Sequence, residues 1–329
     1  AKKYSTMNKL INKQSISKWM LLLLTVTVFT ACKKNFLDTA RQGGYDEENY
    51  PYPGGSGPYD QYIFGAYNSL RDYNVHVDGF LNATSIRSDD ADKGSTENDA
   101  LYLAEIDQFQ SNATNSVYSS MWTGHYQAIF RANLAIENIP NIDMDEQLKS
   151  RLLAEAKFLR AFVYFRLVQW YGDIPLITKI LTEDEYFTQS RTSKALVYDQ
   201  IEKDLKEAID ILPERSKYAA EDLGRATKGA ARGVLAKVYM VKKDYAKALE
   251  QCEAIINSNE YSLMPSYADI FSAKGEQGPE SVFEISAVAI QAAVAGPGAS
   301  PYNMVQGVRG IPNLGWGFNR PSDNLVAAY

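Results

Sequence analysis

Residues 154–178 have the sequence AEAKFLRAFVYFRLVQWYGDIPLIT, in which a strongly apolar stretch stops abruptly at a Gly-Asp-Ile-Pro turn. The apolar side chains fall on so many sides of the predicted helix, Leu148 to Tyr171, that neighbouring elements must cover it. Gly172 breaks this helix, and Pro175 prevents its re-entry because proline lacks the amide hydrogen that a helix uses. The stretch therefore predicts a buried central helix in a mainly α-helical protein.

Apolar residues at intervals of three and four predict further helices on both sides of this one. They are Tyr59 to Tyr73, Ser116 to Ile139, Ser193 to Leu212, Thr227 to Val241 and Tyr245 to Ser258. In the last two, the residues Ala236, Tyr239, Tyr245 and Ala248 fit the spacing of a tetratricopeptide repeat. A single helix pair cannot bury its own apolar face, so the pattern predicts a scaffold of stacked, tetratricopeptide-like pairs.

Two segments lack this helical periodicity. Asn74 to Asp99 is rich in Asp, Ser and Gly and predicts a long functional loop. Ala295 to Gly317 is rich in Gly, Pro and Asn and predicts a loop-dominated surface. Between them, SVFEIS at 281–286 alternates and predicts a strand. NLVAAY at 324–329 resembles the opening of another helix, so we expect the 59–329 domain to be incomplete at its C-terminal end.

Composition excludes several classes of protein. The 329 residues carry a net charge of −6, and no basic run follows the leader, which argues against a nucleic-acid partner. Cys32 and Cys252 are the two cysteines, so a disulfide framework is excluded and packing must hold the fold. A zinc site of Cys and His ligands cannot be assembled from this inventory, and we predict no cofactor.

The first 58 residues predict a leader and a tether. With Met7 as the expected start, lysines precede an apolar run from Trp19 to Phe29 that is about half of the ~20 residues a bilayer span needs. Cys32 follows small residues, which predicts a signal peptide over 1–31 and a lipidated cysteine, whereas an ordinary secretory signal with a chance cysteine is the alternative. PYPGGSGP at 51–58 then ends a flexible tether over 32–58.

The residue inventory gives little support to catalysis or metal binding. The sequence has no Gly-x-Ser-x-Gly elbow, and its histidines are His76 and His125. His125 lies inside a predicted helix and is interpreted as a packing residue rather than a base, whereas His76 lies in the predicted loop near ligand. SDDADKG at 88–94 carries oxygen ligands of the kind calcium prefers, but a solvated or helix-capping loop explains it better.

Several motifs, taken in order, resemble the SusD/RagB family of outer-membrane nutrient-binding lipoproteins of Bacteroidetes. These motifs are CKKNFLD at 32–38, FRANLAIENI at 130–139, the stretch at 154–178, IEKDLKEAIDILPE at 201–214, GRATKGAARGVLAKVYMVKKDYAKALEQCEAII at 224–256 and ESVFEIS at 280–286. The resemblance implies tetratricopeptide-like helix pairs that scaffold an irregular ligand-binding region. It also implies a lipid anchor in the outer membrane, display at the cell surface, and a SusC-like TonB-dependent transporter as partner.

Sugar binding needs flat apolar faces together with amide and charged groups, and the two predicted loop regions supply both. The candidates are Tyr73, Phe80, Asn82 and Asp89 in the first region and Tyr302, Arg309, Trp316 and Asn319 in the second. Trp316 is the leading candidate because Gly315 and Gly317 leave its ring room to be exposed. The competing interpretation is a tryptophan that anchors a loop to the core.

These observations predict a non-catalytic binding protein that captures an oligosaccharide or similar nutrient for a transporter. The alternative is a tetratricopeptide scaffold that binds protein alone and has no glycan binding of its own. A surface glycosidase is the third class, but carboxylates are so abundant in this chain that their presence does not identify an acid and base pair.

Overall fold

The computed structural model describes residues 58–287, 301–310 and 315–328. The predicted leader, Cys32 and the tether up to residue 57 lie outside the described residues, as do parts of the segment from Ala295 to Gly317. Across the described ranges, no helix combines the length and apolar character that a membrane span requires.

The fold is mainly α-helical, as the sequence predicts. The α-helices are α1 (Pro58–Ser69), α2 (Tyr73–His76), α3 (Leu101–Asp107), α4 (Ser116–Asn138), α5 (Glu146–Tyr171), α6 (Glu183–Tyr186), α7 (Lys194–Ile211), α8 (Lys228–Lys242), α9 (Tyr245–Asn257), α10 (Tyr267–Ile270), α11 (Tyr302–Gln306) and α12 (Asp323–Ala328). A π-helix (Val77–Ser85), two strands β1 (Ala91–Gly94) and β2 (Phe318–Pro321), and the 3-10 turns Ile139–Asn141, Arg215–Lys217 and Ala220–Asp222 complete the described elements.

The helix predicted from the 154–178 stretch is α5, and it lies at the centre of the larger apolar core. Side chains of α1, α4, α7 and α8 pack around it, and Phe158 and Tyr164 are fully buried. The Asp145 carboxylate caps its start by accepting a hydrogen bond from the Leu148 amide at 2.8 Å. Gly172 ends it with a φ of 69°, in the region that favours glycine.

A buried ion pair fastens α5 to α7. The Arg160 guanidinium donates two parallel hydrogen bonds of 2.8 Å to the Asp204 carboxylate, and both side chains are almost completely buried. The same guanidinium donates to the Asn133 side chain of α4 at 2.9 Å and to the Thr178 carbonyl at 3.0 Å. Arg160, itself in α5, therefore joins α4, α5, α7 and the segment that follows the Gly-Asp-Ile-Pro turn.

The predicted repeat pair is formed by α8 and α9. Ala236, Tyr239 and Ala248 are buried where the two helices cross, whereas Tyr245 is 60% exposed at the start of α9. Lys243, between the helices, has a φ of 60° and ends α8 in a left-handed conformation. The Asp244 side chain then caps α9 by accepting a hydrogen bond from the Lys247 amide.

The prediction of one long loop from Asn74 to Asp99 is wrong, because α2, the π-helix and β1 occupy much of it. In the π-helix the apolar residues Val77, Leu81 and Ile86 recur at intervals of four and five, and the Ile86 amide donates to the Leu81 carbonyl at 3.0 Å. That spacing matches the i to i+5 bonding of a π-helix. A search for α-helical periodicity misses it, and the short helix α3 was missed as well.

The strand predicted for SVFEIS is also absent, since residues 281–287 bend at Val282 and Phe283 and have no ladder partner among the described residues. The ring of Phe283 instead packs 4.9 Å from that of Phe158 and 5.6 Å from that of Phe162. The Glu284 carboxylate accepts hydrogen bonds of 2.9 Å from the Gln277 amide and the Ser281 hydroxyl. Of the two alternating apolar residues, Phe283 packs against helix α5 and Ile285 is exposed, and no strand in the described ranges pairs with this segment.

A second, smaller apolar core determines where the irregular segments lie. It contains Val77 and Leu81 of the π-helix, Val117 of α4, and two residues from late in the chain, Val305 and Phe318. These last two side chains are buried against segments more than 200 positions earlier in the sequence. The two regions that the sequence marks for ligand binding are therefore packed against each other.

Candidate functional site

An antiparallel pair of short strands joins the two predicted binding regions. Ala91 pairs with Pro321 and Gly94 with Phe318. Gly94 has a φ of 73°, and a Cβ atom there would lie 2.3 Å from the Gly317 carbonyl oxygen, so only glycine fits this crossing. The Ser95 amide continues the contact by donating to the Gly317 carbonyl at 2.5 Å.

A buried lysine holds the turn that follows β1. Lys93 is 8% exposed, and its ammonium donates hydrogen bonds of 2.8 Å to the carbonyls of Thr96 and Asp99. Its backbone amide donates to the Asp107 carboxylate at 2.9 Å. Because a buried ammonium is costly unless its donors are satisfied, this arrangement fixes the backbone of the turn.

Trp316 lies at the edge of this strand pair. Its ring is 39% exposed and stands edge-on to the buried Phe318 ring, with 6.4 Å between the centroids. Its backbone amide donates to the Met304 carbonyl at 2.7 Å. The backbone is thus anchored while part of the ring faces solvent, so each of the two interpretations of this tryptophan describes part of what is observed.

A depression of about 620 Å³ lies beside the strands, and we call it the strand depression. Its lining includes Ser95, Arg309, Asn319 and Arg320. The Arg309 guanidinium contacts the Asp99 carboxylate and donates to the Ser95 hydroxyl at 2.7 Å. The Ser95 hydrogen bond and the adjacent Arg309 lower the pKa of Asp99, which keeps this carboxylate ionised.

The remaining cation of the strand depression is also paired, since Arg320 lies 3.0 Å from the Asp92 carboxylate. Asp89 lies at the rim, where its backbone carbonyl accepts a hydrogen bond of 2.6 Å from the Ser322 hydroxyl. The structure therefore brings four of the predicted residues to one surface region. They are Asp89, Arg309, Trp316 and Asn319.

A second concavity, of about 470 Å³, lies between α2, the π-helix, α5, α8 and α11, and we call it the helix cleft. Phe80, which is 57% exposed, and Tyr302 line it. The Tyr302 ring stands edge-on to the His76 ring at 4.8 Å. Two more predicted residues, Phe80 and Tyr302, therefore meet here, on the other side of α11 from the strand depression.

The helix cleft also contains residues that the sequence analysis did not select. Arg166 of α5 and Lys237 of α8 line it. Arg166 is the charged residue inside the apolar sequence AFVYFRLV at 161–168, and this interruption is a signal that could have identified it. Lys237 carries no such signal, because an exposed lysine on an amphipathic helix is ordinary.

Asn82 lies beneath the surface, and Tyr73 is half-buried beside the smaller apolar core. Asn82 is 2% exposed, and its side chain donates to the Asp78 carboxylate at 2.7 Å. Burial raises the pKa of Asp78 to about 6, and burial together with Asp78 and Tyr102 raises the pKa of Tyr73 to about 12. These two predicted residues contribute to the packing under the π-helix.

The two histidines have different surroundings. His125 is fully buried, as the packing interpretation expects, and its Nδ1 lies 2.7 Å from the Met121 carbonyl oxygen. Burial and the nearby Arg166 lower the pKa of His125 to about 4. His76 lines the helix cleft, and burial and Arg166 lower its pKa too. Both imidazoles are therefore neutral at neutral pH.

Among the described residues, no three side chains of His, Cys, Asp or Glu lie close enough together to hold a metal ion. Within the acidic run at 88–94, Asp92 is paired with Arg320, and Asp89 and Asp90 are exposed. The backbone of this run is used in β1 and in hydrogen bonds to Ser322.

Known proteins resemble this chain in both sequence and structure. It is 33% identical over 168 residues to SusD-like protein P25 of Formosa agariphila, an alignment that covers 51% of this chain and 32% of that protein. The fold matches a laminarin-binding SusD-like protein with a TM-score of 0.69 and 27% identity, covering 81% of this chain and 62% of the other. The chain thus spans about a third of the length of its curated relative P25.

A second solved structure is surface glycan-binding protein A from Bacteroides thetaiotaomicron in complex with laminarihexaose. It matches with a TM-score of 0.69 and 25% identity, over 82% of this chain and 60% of that one. The model of a SusD-like family described as starch-binding and associating with the outer membrane matches residues 60–240, which is more than half of the chain. The motifs, the helical fold and these matches together place the chain in the SusD-like family.

Proposed function

We propose that this protein is a lipid-anchored, non-catalytic binding protein of the outer membrane. It captures an oligosaccharide and passes it to a SusC-like TonB-dependent transporter. The observation that carries the proposal is the pairing of β1 with β2, which forms the strand depression with Arg309 and Asn319 in its lining. Asp89 and Trp316 lie next to it, since each directly precedes a lining residue, Asp90 and Gly317. The laminarin-binding relative and the laminarihexaose complex support a glycan as the ligand.

The chemistry of the strand depression suits a sugar. The exposed part of the Trp316 ring offers a flat apolar face for the C–H surface of a pyranose. The Arg309 guanidinium supplies donors for hydroxyl groups, and the exposed Asp90 carboxylate supplies an acceptor. Because Asp99 and Asp92 pair the two arginines and the exposed Asp90 also lines the strand depression, this surface has no unpaired cation among its described residues and favours an uncharged glycan over an anionic one. A shallow site of this kind predicts modest affinity.

Calorimetry on the full-length protein tests the proposal, with laminari-oligosaccharides, malto-oligosaccharides and other neutral glycans as ligands. We expect one of these glycans to bind and Trp316→Ala to weaken that binding about tenfold, which corresponds to ~1.4 kcal/mol. Phe187→Ala is the matched control: Phe187 is a 91% exposed aromatic residue without a contact to the strand depression, whereas the Trp316 carbonyl lies 3.5 Å from the Arg309 guanidinium of its lining. Equal affinities for the wild type and Trp316→Ala would contradict the proposed site.

The competing function, a tetratricopeptide scaffold that binds protein alone, predicts a different outcome. Such a protein would co-purify with the transporter, would give no heat with any glycan, and would be insensitive to Trp316→Ala. Mass spectrometry of the membrane-extracted protein tests the anchor independently, because a lipidated Cys32 carries the mass of its acyl chains. Absence of those chains would contradict the anchoring but not the glycan site.

A further inference from the structure

The helix cleft has both of the features that bind a charged sugar. Its walls include the rings of Phe80, Phe162 and Tyr302, and Phe80 is 57% exposed. Aromatic faces of this kind pack against the apolar face of a pyranose. Among the described residues, the charged side chains that line the cleft are basic, and none is a carboxylate. The titratable His76 also lines it.

Arg166 is the central cation of the helix cleft. Its side chain is partly buried, and among the described residues no carboxylate lies within ion-pair distance of it. Its guanidinium carbon lies 6.0 Å from the centre of the Phe162 ring. Burial lowers the pKa of Arg166, yet a guanidinium stays charged in proteins, so a desolvated positive charge faces the cleft.

Lys237 places a second positive charge at the same cleft. It is exposed on α8, and no carboxylate in the described part of the chain pairs with it. The strand depression differs in this respect, since Arg309 is paired with Asp99 and Arg320 with Asp92. In a protein whose net charge is −6, the helix cleft is therefore a local basic site.

His76 also lines the helix cleft but adds no charge to it. Burial and Arg166 lower the pKa of His76, so its imidazole is neutral at neutral pH. Its Nε2 atom is buried and does not face a ligand. The charge of the cleft therefore comes from its basic side chains.

We propose that the helix cleft binds an acidic saccharide residue, one that carries a carboxylate or a sulfate group. The aromatic walls contact the sugar ring, and Arg166 and Lys237 contact the anionic group. This inference rests on the proposed glycan-binding function and specifies the substrate class. In this proposal the helix cleft selects acidic saccharide residues, and the strand depression binds uncharged ones.

The helix α11 contributes to both concavities. Tyr302, at its start, lines the helix cleft, and Gln306, at its end, lines the strand depression. These two residues are separated by a rise of about 6 Å along the helix. For a glycan with neutral and acidic residues, we expect the acidic residue to bind in the helix cleft.

The test is calorimetry on the full-length protein with three galacto-oligosaccharides of equal length: neutral, uronate-bearing and sulfated. We expect an acidic ligand to bind about tenfold more tightly than the neutral one, because hydrogen bonds to charged groups are the stronger ones. The two acidic ligands distinguish carboxylate from sulfate. We expect the difference in affinity between acidic and neutral ligands to decrease as salt is added, since salt screens the attraction between the anionic group and the two basic side chains.

Two variants test whether the preference for an acidic ligand arises in the helix cleft. Lys237→Gln and Arg166→Gln should each reduce the affinity for the acidic ligand several-fold and leave that for the neutral ligand unchanged. Lys203→Gln is the control, because Lys203 is an exposed lysine of α7 that does not line the cleft. Lys237 is exposed, so its variant tests the proposal even if Arg166→Gln fails to fold.

The proposal is overturned if acidic ligands bind no more tightly than the neutral one, or if Lys237→Gln weakens neutral and acidic ligands equally. Failure of the underlying function has a different signature. In that case no glycan binds at all, and Trp316→Ala changes nothing.

Discussion

The helical frame (α4, α5, α7 and α8) and the site face (residues 73–109, 302–310 and 315–328) are held together in different ways. In the helical frame, the ion pair of Arg160 with Asp204 joins residues 44 positions apart, and helices close in sequence pack against each other. In the site face, Arg309 reaches Ser95 across 214 positions and Ser322 reaches Asp89 across 233.

This difference separates what local sequence can specify from what it cannot. A helix of the frame follows from apolar residues at intervals of three and four, and its partners are its neighbours along the chain. The site face exists because β1 pairs with β2, an association of distant segments with no local signal in either. Changes in the two regions should therefore have different consequences, which the following predictions use.

The largest expected effect is in the helical frame. Asp204→Ala leaves the Arg160 guanidinium buried and unpaired, so the free energy of unfolding should fall by about 3–5 kcal/mol. Urea denaturation measures the loss. The matched control joins the same two helices: Glu207 pairs with Lys157 at 2.7 Å with both side chains at least 30% exposed. Glu207→Ala should cost at most about 1 kcal/mol, and equal losses would contradict the distinction.

The second prediction concerns Asp78, which lies beneath the site face. Burial raises its pKa to about 6, so between pH 4 and pH 6 the native state binds a proton that the unfolded state releases. Stability from this residue is present at low pH and is lost as the pH rises through that window. Asp78→Asn should therefore become more stable than the wild type by about 1–3 kcal/mol at pH 7.

Denaturation curves at pH 4 and pH 7 check this prediction. The advantage of Asp78→Asn should be small at pH 4, should grow up to pH 6 and should level off above it. His125 contributes the opposite dependence, since its pKa of about 4 means that stability is lost as the pH falls below about 6.5. A constant difference between variant and wild type at all pH values would refute the assignment.

The smallest expected effect on stability comes from a change in the strand pair. This change should nevertheless weaken binding at the proposed site. Gly94→Ala places a methyl group 2.3 Å from the Gly317 carbonyl oxygen at a φ of 73°. The left-handed conformation alone costs about 1–2 kcal/mol for alanine. We expect faster hydrogen exchange of the Ser95 amide and weaker glycan binding, with little change in the global unfolding of the helical frame.

Gly65→Ala provides the comparison for that experiment. Gly65 lies within α1, and apart from its own helical backbone and chain neighbours no atom lies within 4 Å of the position its Cβ would take. Alanine there should stabilise the helix by about 0.5–1 kcal/mol. If Gly94→Ala behaves like Gly65→Ala, the strand pair does not hold the site face.

The contrast between the helical frame and the site face explains how much of the structure the sequence predicts. The frame helices were predicted to within two residues at their ends, because buried α5 and amphipathic α7 have clear periodicity. The π-helix was missed, since its apolar residues recur at intervals of four and five. Of the candidate residues, Asn82 is buried, and no local pattern distinguishes an inward-facing asparagine of a π-helix from one in a loop.

The grouping of the candidates could not be predicted either. Trp316 and Asp89 share a surface because of Gly94 and Phe318, whose pairing is a property of two distant segments together. Arg166 was overlooked because its neighbours mark it as core, whereas its guanidinium reaches the helix cleft. A charged residue inside an apolar helix is the one local signal that could have drawn attention to that cleft.

The buried ammonium of Lys93 has a kinetic consequence. Its bonds to the carbonyls of Thr96 and Asp99 act in the free protein, so the turn that presents Ser95 and Asp99 is already ordered. Binding of the proposed glycan therefore does not have to order this turn, so the ordering entropy that weakens many loop-based sites does not oppose it. We expect such a site to bind and release its ligand without a slow rearrangement of this part of the backbone.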